Sequence, residues 1–280
     1  MLFSPIETFL QHRNTFLDNF FYDTDSLTKE ETERLTSEKN PEGSIIVISP
    51  KKNNTPYTVY KNATEFVNSE HNAITRFTIA GVGSSDLGGS ALARNVADYF
   101  DTPVGAIIAG YGMKDLMQEA LGGWFGLGQA NKKSYIKEAL HQEDDIEFVT
   151  GSPDSTTLLN LLGNKKINIE LLLSHSKGCL SVADALFGLM SLSSDSKLIK
   201  ERTENMKIVT AGAVINLPNQ FHHVFQFLGD YDWFGRINSR VGLGFDKIAG
   251  AWHHTNTNLP LSMSIMDLLH QLTPENEVIA

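Results

Sequence analysis

Residues 170–186 read Glu170-Leu-Leu-Leu-Ser-His-Ser-Lys-Gly-Cys-Leu-Ser-Val-Ala-Asp-Ala-Leu186, and this stretch decides the fold. It predicts a short apolar strand, a sharp turn and then a helix. The small residues Ser174 and Gly178 lie two positions before and two positions after Ser176. A serine projects clear of a sheet on a strained turn where the helix passes close to the strand, so its flanking residues must be small. The stretch is therefore typical of a nucleophile elbow at Ser176; an ordinary strand-to-helix turn with a serine N-cap is the alternative.

The composition indicates a chain that buries a large core. Its 280 residues are 41% hydrophobic and 20% charged, and one α/β domain can reach this length. A net charge of −10 without a basic tract argues against binding to nucleic acid or to an anionic membrane surface. The one cysteine, Cys179, excludes an internal disulfide and fits a reducing compartment. No signal-peptide pattern and no run near about 18 apolar residues is present. We therefore expect a cytoplasmic protein without a membrane span, with specialised secretion left open.

The order of apolar segments predicts a single α/β domain with an N-terminal extension. Residues 1–43 predict a helical extension packed on the core, because apolar residues recur at helical spacing and a charged helix follows near 27–35. Residues 44–280 begin with a hairpin over 45–48 and 57–60 and continue as alternating strands and helices. The further predicted strands are Phe77–Ala80, Val104–Ala109, Ile146–Val149, Leu171–Leu173, Ile208–Ala211 and Val224–Leu228. The predicted helices are a short piece near Thr64–Asn68, followed by Ser90–Tyr99, Met113–Leu121, Asp154–Leu162, Cys179–Met190 and Ser262–Leu272. This alternation indicates a mainly parallel central sheet with helices on both faces.

A loop rich in glycine and serine, Gly81-Val-Gly-Ser-Ser-Asp-Leu-Gly-Gly89, follows the strand that ends at Ala80. It fails as a dinucleotide loop, because Asp86 stands where the third glycine belongs and would repel a pyrophosphate. It suits an oxyanion loop, in which Gly83 or Ser84 supplies one backbone N–H and Lys177, after the nucleophile, supplies the other. A tight turn before a capped helix is the alternative.

An orienting acid is expected just past the carboxyl end of a later strand. The strand ending at Leu228 runs into Gly229-Asp-Tyr-Asp-Trp-Phe-Gly235, which offers Asp230 and Asp232. Asp232 is favoured because it begins a run that bends back toward the site, and Asp230 stays the alternate. Both aspartates also suit a turn.

A general base is expected on a loop before the last helix. The run Ile248-Ala-Gly-Ala-Trp-His-His-Thr-Asn-Thr-Asn-Leu-Pro260 offers His253 and His254. His253 is favoured because it follows Gly-Ala-Trp directly, and His254 is the alternate. The adjacent pairs at 222–223 and 253–254 do not predict a metal site, because neighbouring side chains on a strand point to opposite faces and no carboxylate motif accompanies them.

A helix bounded by glycines is predicted within residues 110–130. Its many glycines, two methionines and Trp-Phe pair suit a mobile lid over an apolar pocket. A core crossover helix is the alternative.

These motifs resemble the α/β-hydrolase superfamily, closest to lipase-like serine esterases of the class-3 type. The resemblance is carried by Gly81-Val-Gly-Ser84, Ser174-His-Ser-Lys-Gly178, Ile208-Val-Thr-Ala-Gly212, Asp232 and Gly250-Ala-Trp-His253. It covers residues 44–272, with Ser174 in place of the usual glycine, Lys177 after the nucleophile and no His-Gly-Gly-Gly in the oxyanion loop.

The resemblance implies an α/β-hydrolase fold and a Ser-His-Asp triad that cleaves carboxylic esters with an apolar acyl group, without a cofactor. The expected substrate is a small-molecule or lipid-like ester. An acyltransferase with the same triad and a non-catalytic binding protein of this fold are the alternatives.

Overall fold

A computed structural model describes residues 16–81, 84–109, 152–237, 239–240 and 242–272. The predicted lid within residues 110–130, the strand expected at 146–149 and Gly83 lie outside the described residues. The described part is an α/β structure, in which a central sheet carries helices on both faces.

Within the described residues, eight strands form the sheet. In chain order they are β1 (Ile45–Ile48), β2 (Thr58–Tyr60), β3 (Arg76–Ile79), β4 (Val104–Ile107), β5 (Leu171–His175), β6 (Lys207–Ala211), β7 (His223–Gly229) and β8 (Asp246–Ile248). Their order across the sheet is β2-β1-β4-β3-β5-β6-β7-β8. Strand β1 is antiparallel to both of its neighbours, and every other pair is parallel. The carboxyl ends of β3, β5, β6, β7 and β8 therefore meet at one edge of the sheet, which is where ligands bind in such sheets.

The helices alternate with the strands. They are α1 (Lys29–Ser37), α2 (Ala63–Val67), α3 (Asp86–Phe100), α4 (Pro153–Gly163), α5 (Gly178–Leu192), α6 (Ser196–Asn205), α7 (Trp233–Ile237) and α8 (Ile265–His270), and residues 16–21 are also helical. Their starts follow local capping chemistry. Thr28 and Glu31 form a capping box on α1, and the Ser85 hydroxyl accepts from the Leu87 N–H at the start of α3.

Two apolar layers enclose the sheet. Helices α2, α4 and α5 cover one face, with Phe66, Leu158 and Val182 fully buried there. Helices α3 and α8, together with α1 and the residues before it, cover the other face around Leu92 and Leu268. The predicted central sheet with helices on both faces is thus observed for the described residues.

The N-terminal extension contributes to this second layer. Tyr22 and Leu35 are buried in the same cluster as α3. Glu31 also forms an ion pair with the buried Arg94, with 2.5 Å between carboxylate oxygen and guanidinium nitrogen. Removing one partner of such a pair would leave an uncompensated charge, so α1 is tied to α3 by charge as well as by apolar contact.

Three elements were not predicted. Helix α6 and strand β8 are polar and partly exposed, so they lack the apolar periodicity that identifies buried elements. Helix α7 lies within the loop that was predicted to bend over the site. Among the described helices, none has both the length and the hydropathy to cross a membrane.

Gly178 generates a test of the close approach between α5 and β3. A Cβ at Gly178 would lie 2.4 Å from the Ile79 carbonyl oxygen and 2.7 Å from that of Ala80, so Gly178→Ala must displace backbone. We expect it to lower the free energy of unfolding by about 1–3 kcal/mol, measured by urea denaturation. Gly244→Ala is the matched control, because a Cβ there meets no atom within 4 Å. Equal stabilities of the two variants would contradict the proposed contact.

Candidate active site

Ser176 occupies a sharp turn between β5 and α5. Its backbone φ is +53°, in the left-handed region that residues other than glycine seldom adopt, and its N–H donates to the Ala211 carbonyl at 2.9 Å. Gly178 allows the start of α5 to pass against the end of β3, as its contact distances show. The turn thus has the geometry expected of the predicted elbow.

Ser174 replaces the glycine that is usual before such a serine. Its side chain is buried, and its hydroxyl donates to the Val209 carbonyl of the next strand at 3.2 Å. The sheet therefore accommodates the larger residue by giving its hydroxyl a partner.

Three of the predicted side chains meet at the carboxyl edge of the sheet. His253 Nε2 lies 3.0 Å from Ser176 Oγ, and His253 Nδ1 lies 3.0 and 2.8 Å from the two carboxylate oxygens of Asp232. Asp232 and His253 are 0% and 1% exposed, so the contacts are shielded from water. Because a carboxylate only accepts, the proton of a neutral His253 belongs on Nδ1, which leaves the Nε2 lone pair facing the serine.

The orientation of these side chains depends on two glycines that sequence reasoning did not single out as packing positions. A Cβ at Gly212 would lie 2.9 Å from His253 Cε1, and one at Gly235 would lie 2.4 Å from an Asp232 oxygen. Gly235 also donates its N–H to Asp232 at 2.5 Å. The aspartate is thereby held by its own loop as well as by the histidine.

The alternates make other contacts. Asp230 forms an ion pair with Lys247 of β8 and accepts from the Gly250 N–H at 3.4 Å. His254 Nε2 lies 3.0 Å from the Pro260 carbonyl oxygen, and burial lowers the pKa of this imidazole. Neither residue joins the line formed by Ser176, His253 and Asp232.

The two described residues that were expected to donate to an oxyanion, Lys177 and Ser84, have different surroundings. Lys177 follows the nucleophile at the start of α5, as predicted, and is buried. Ser84 lines the cavity beside Ser176, but its N–H and its hydroxyl both donate to the Gly81 carbonyl, at 3.3 and 2.7 Å. In this conformation a turn hydrogen bond uses the Ser84 N–H, and its role as an oxyanion donor stays a prediction.

A cavity of about 200 Å³ lies in front of the serine. It is lined by Leu17, Asp18, Phe21, Tyr22, Gly81, Ser84, His175, Ser176, Phe234 and His253. Four of these residues come from the N-terminal extension, which sequence reasoning treated only as packed on the core. The local sequence does not indicate that these four residues line the cavity, because their position depends on contacts with residues far along the chain.

Asp18 is a buried carboxyl group in this cavity. Ser85 donates to it from its N–H, at 3.0 and 3.2 Å to the two oxygens, and from its hydroxyl. Gly88 leaves room for it, since a Cβ there would lie 2.2 Å from an Asp18 oxygen. Burial raises the pKa of Asp18 to about 7, although the Ser85 hydrogen bonds lower it. The group thus binds the N-terminal extension to the start of α3.

Metal-ligating side chains do not cluster in the described part of the chain. Its histidine, cysteine, aspartate and glutamate residues form no group of three or more that could hold a metal ion.

The chain matches no family model, no curated protein and no solved structure in comparisons with known proteins.

Asp18 generates a test of the contact between the extension and α3. Its pKa is about 7 in the folded chain and near 3.8 when unfolded, so folding takes up a proton between these values. The contribution of Asp18 to the free energy of unfolding is therefore fully present below about pH 4. It decreases as the pH rises toward about 7, because the folded protein must then bury a charged carboxylate. We expect Asp18→Asn to remove this loss, gaining about 1–4 kcal/mol relative to the wild type between those limits, measured by urea denaturation. Parallel pH profiles for the two proteins would show that Asp18 is not buried as described.

Proposed function

We propose that this chain is a serine hydrolase of the α/β-hydrolase fold that cleaves carboxylic esters with an apolar acyl group. The observation that carries the proposal is the continuous line of hydrogen bonds from Ser176 through His253 to Asp232. Each of these side chains comes from a loop at the carboxyl end of a different strand, β5, β8 and β7. A nucleophile, a base in the right tautomer and an orienting carboxylate are the three parts of such a site.

The fold assignment is supported by the order of these parts along the chain. Serine, aspartate and histidine follow one another in the order typical of α/β hydrolases. Strand β3 lies beside β5 in the sheet, so the loop after β3 reaches the nucleophile. A Cβ at Gly81, in that loop, would lie 2.9 Å from Ser176 Cβ. This is the position from which an oxyanion donor is expected.

The geometry supports acyl transfer through a covalent intermediate. Ser176 Oγ attacks the ester carbonyl carbon as its proton passes to His253 Nε2, and Asp232 stabilises the imidazolium. The tetrahedral intermediate collapses when His253 returns the proton to the departing alkoxide, which leaves as an alcohol. Water then attacks the acyl-serine by the same route, its proton passing through His253 to Ser176 as the carboxylic acid is released.

The developing oxyanion would lie against the start of α5. The backbone N–H of Lys177 follows the nucleophile directly, and the positive end of a fifteen-residue helix points to the same place. The loop that begins at Gly81 would supply the second donor.

The lining of the cavity supports an apolar acyl group. Leu17, Phe21 and Phe234 present apolar surface beside the serine, and the Phe234 ring meets the His253 ring edge to face with centroids 4.8 Å apart. Apolar walls with few polar groups are typical of small-molecule pockets.

A fluorophosphonate probe tests the nucleophile. We expect the wild type to be labelled and Ser176→Ala to lose labelling and ester hydrolysis while keeping its urea midpoint, because the probe reacts with activated serines. Ser90→Ala is the control, since that buried hydroxyl has no hydrogen-bond partner in α3. Labelling or p-nitrophenyl ester hydrolysis that survives in Ser176→Ala would overturn the proposal.

Paired aspartate variants test the orienting acid. We expect Asp232→Asn to lower kcat by roughly 10³–10⁴-fold, because an amide at this position favours the wrong imidazole tautomer. Asp230→Asn, two residues away, should change kcat by no more than about 2-fold, since Asp230 contacts Lys247 instead. A larger loss from Asp230→Asn than from Asp232→Asn would reverse the assignment.

A further inference from the structure

His175 lies directly before Ser176 and contacts the proposed base without joining the triad. It is 1% exposed, and its ring centroid lies 4.9 Å from that of His253. His175 Nε2 lies 2.8 Å from the backbone carbonyl oxygen of His253, and His175 Nδ1 lies 3.0 Å from the Tyr22 hydroxyl. A buried histidine thus bridges the base loop and the N-terminal extension.

The direction of these hydrogen bonds follows from their partners. A carbonyl oxygen only accepts, so His175 Nε2 carries a proton. Burial, with a smaller contribution from the neighbouring His253, lowers the pKa of His175 to about 3, so the ring is neutral and Nδ1 accepts. The Tyr22 hydroxyl therefore donates to Nδ1, and its oxygen accepts from the Gly81 N–H at 2.6 Å. The three hydrogen bonds, from Gly81 to Tyr22, from Tyr22 to His175 and from His175 to the His253 carbonyl, thus run in one direction.

We infer that Tyr22 and His175 are positioning residues, which hold the backbone of His253 and the Gly81 loop at fixed places around Ser176. The inference rests on the proposed function, and it assigns to the N-terminal extension a part in the active site. Tyr22 and His175 are 153 residues apart in the chain, and one hydroxyl joins them to the loop after β3.

The loop that carries His253 needs such support. It follows β8, which has only three residues and lies at the edge of the sheet. The hydrogen bonds between β7 and β8 therefore fix only the start of this loop. The neighbouring residues are held by their own backbone bonds: the Trp252 N–H donates to the Leu261 oxygen at 2.6 Å, and the Thr255 N–H donates to the Phe21 oxygen at 2.7 Å. The carbonyl oxygen of His253 itself accepts from His175. Because proton transfer needs His253 Nε2 within hydrogen-bond reach of Ser176, displacement of this backbone slows the reaction.

Paired variants of the two residues test the inference. Tyr22→Phe removes the hydroxyl, and His175→Phe keeps a ring but loses both nitrogens. We expect each to lower kcat, and the rate of fluorophosphonate labelling, by roughly 10- to 100-fold with KM changed less than about 3-fold. His175→Gln can still donate to the His253 carbonyl and should recover most of that loss. Tyr57→Phe is the matched control, because it removes another buried tyrosine hydroxyl, which donates to Glu38 at 2.7 Å.

A second measurement on the wild type is independent of activity. Nitrogen-15 NMR of the histidine rings should show His175 neutral, with its proton on Nε2, from about pH 5 to about pH 8. A charged ring or a proton on Nδ1 would overturn the inference, even if the variants do not fold.

The outcomes separate this inference from the proposed function. Wild-type kcat in folded Tyr22→Phe and His175→Phe would reject the positioning role and leave the hydrolase proposal intact. Equal losses in His175→Gln and His175→Phe would likewise count against it. A wild type that is never labelled by the probe would instead reject the hydrolase, and with it a role in positioning a base.

Discussion

The left-handed backbone at Ser176 is the constraint on which the candidate active site depends. Such a conformation costs about 1–3 kcal/mol for a residue with a side chain, so the surroundings must enforce it. The Ala211 carbonyl holds the Ser176 N–H on one side, and Gly178 lets α5 lie against the last carbonyls of β3 on the other. Parallel pairing of β3, β5 and β6 provides both contacts. Once the hydroxyl is placed relative to three strands, the loops after β7 and β8 need only reach the same edge of the sheet.

Much of this arrangement could be predicted from local sequence. The small residues around Ser176 and the alternation of strands and helices are short-range patterns, and parallel strands bring their carboxyl ends together whatever the loops contain. The choice between Asp230 and Asp232 was harder, because both lie in one loop of similar composition. The structure separates them by direction: Asp230 reaches across to Lys247 on β8, whereas Asp232 turns inward to Gly235 and His253. The directions in which two nearby loop side chains point cannot be predicted from the periodicity of apolar residues.

Other parts of the site could not be predicted because they depend on contacts between distant segments. Nothing near Tyr22 indicates that its hydroxyl lies between Gly81 and His175, and nothing near Asp18 indicates that Ser85 donates to it. The contacts of Ser84 have a local cause instead: its N–H and its hydroxyl both donate to the Gly81 carbonyl and form a tight turn. A glycine- and serine-rich loop can direct its N–H groups at a ligand or at its own carbonyls, and composition does not distinguish the two.

The proposed reaction develops positive charge beside a buried carboxylate. His253 becomes positive during proton transfer, and the buried Asp232 compensates that charge at 2.8 Å. A second cation beside it would oppose protonation of the base. His175 avoids this cost because burial keeps its ring neutral, yet the ring still donates at one nitrogen and accepts at the other. A lysine could only donate and a carboxylate could only accept. Neutral imidazole therefore suits a position that must link a hydroxyl to a carbonyl within contact distance of the base.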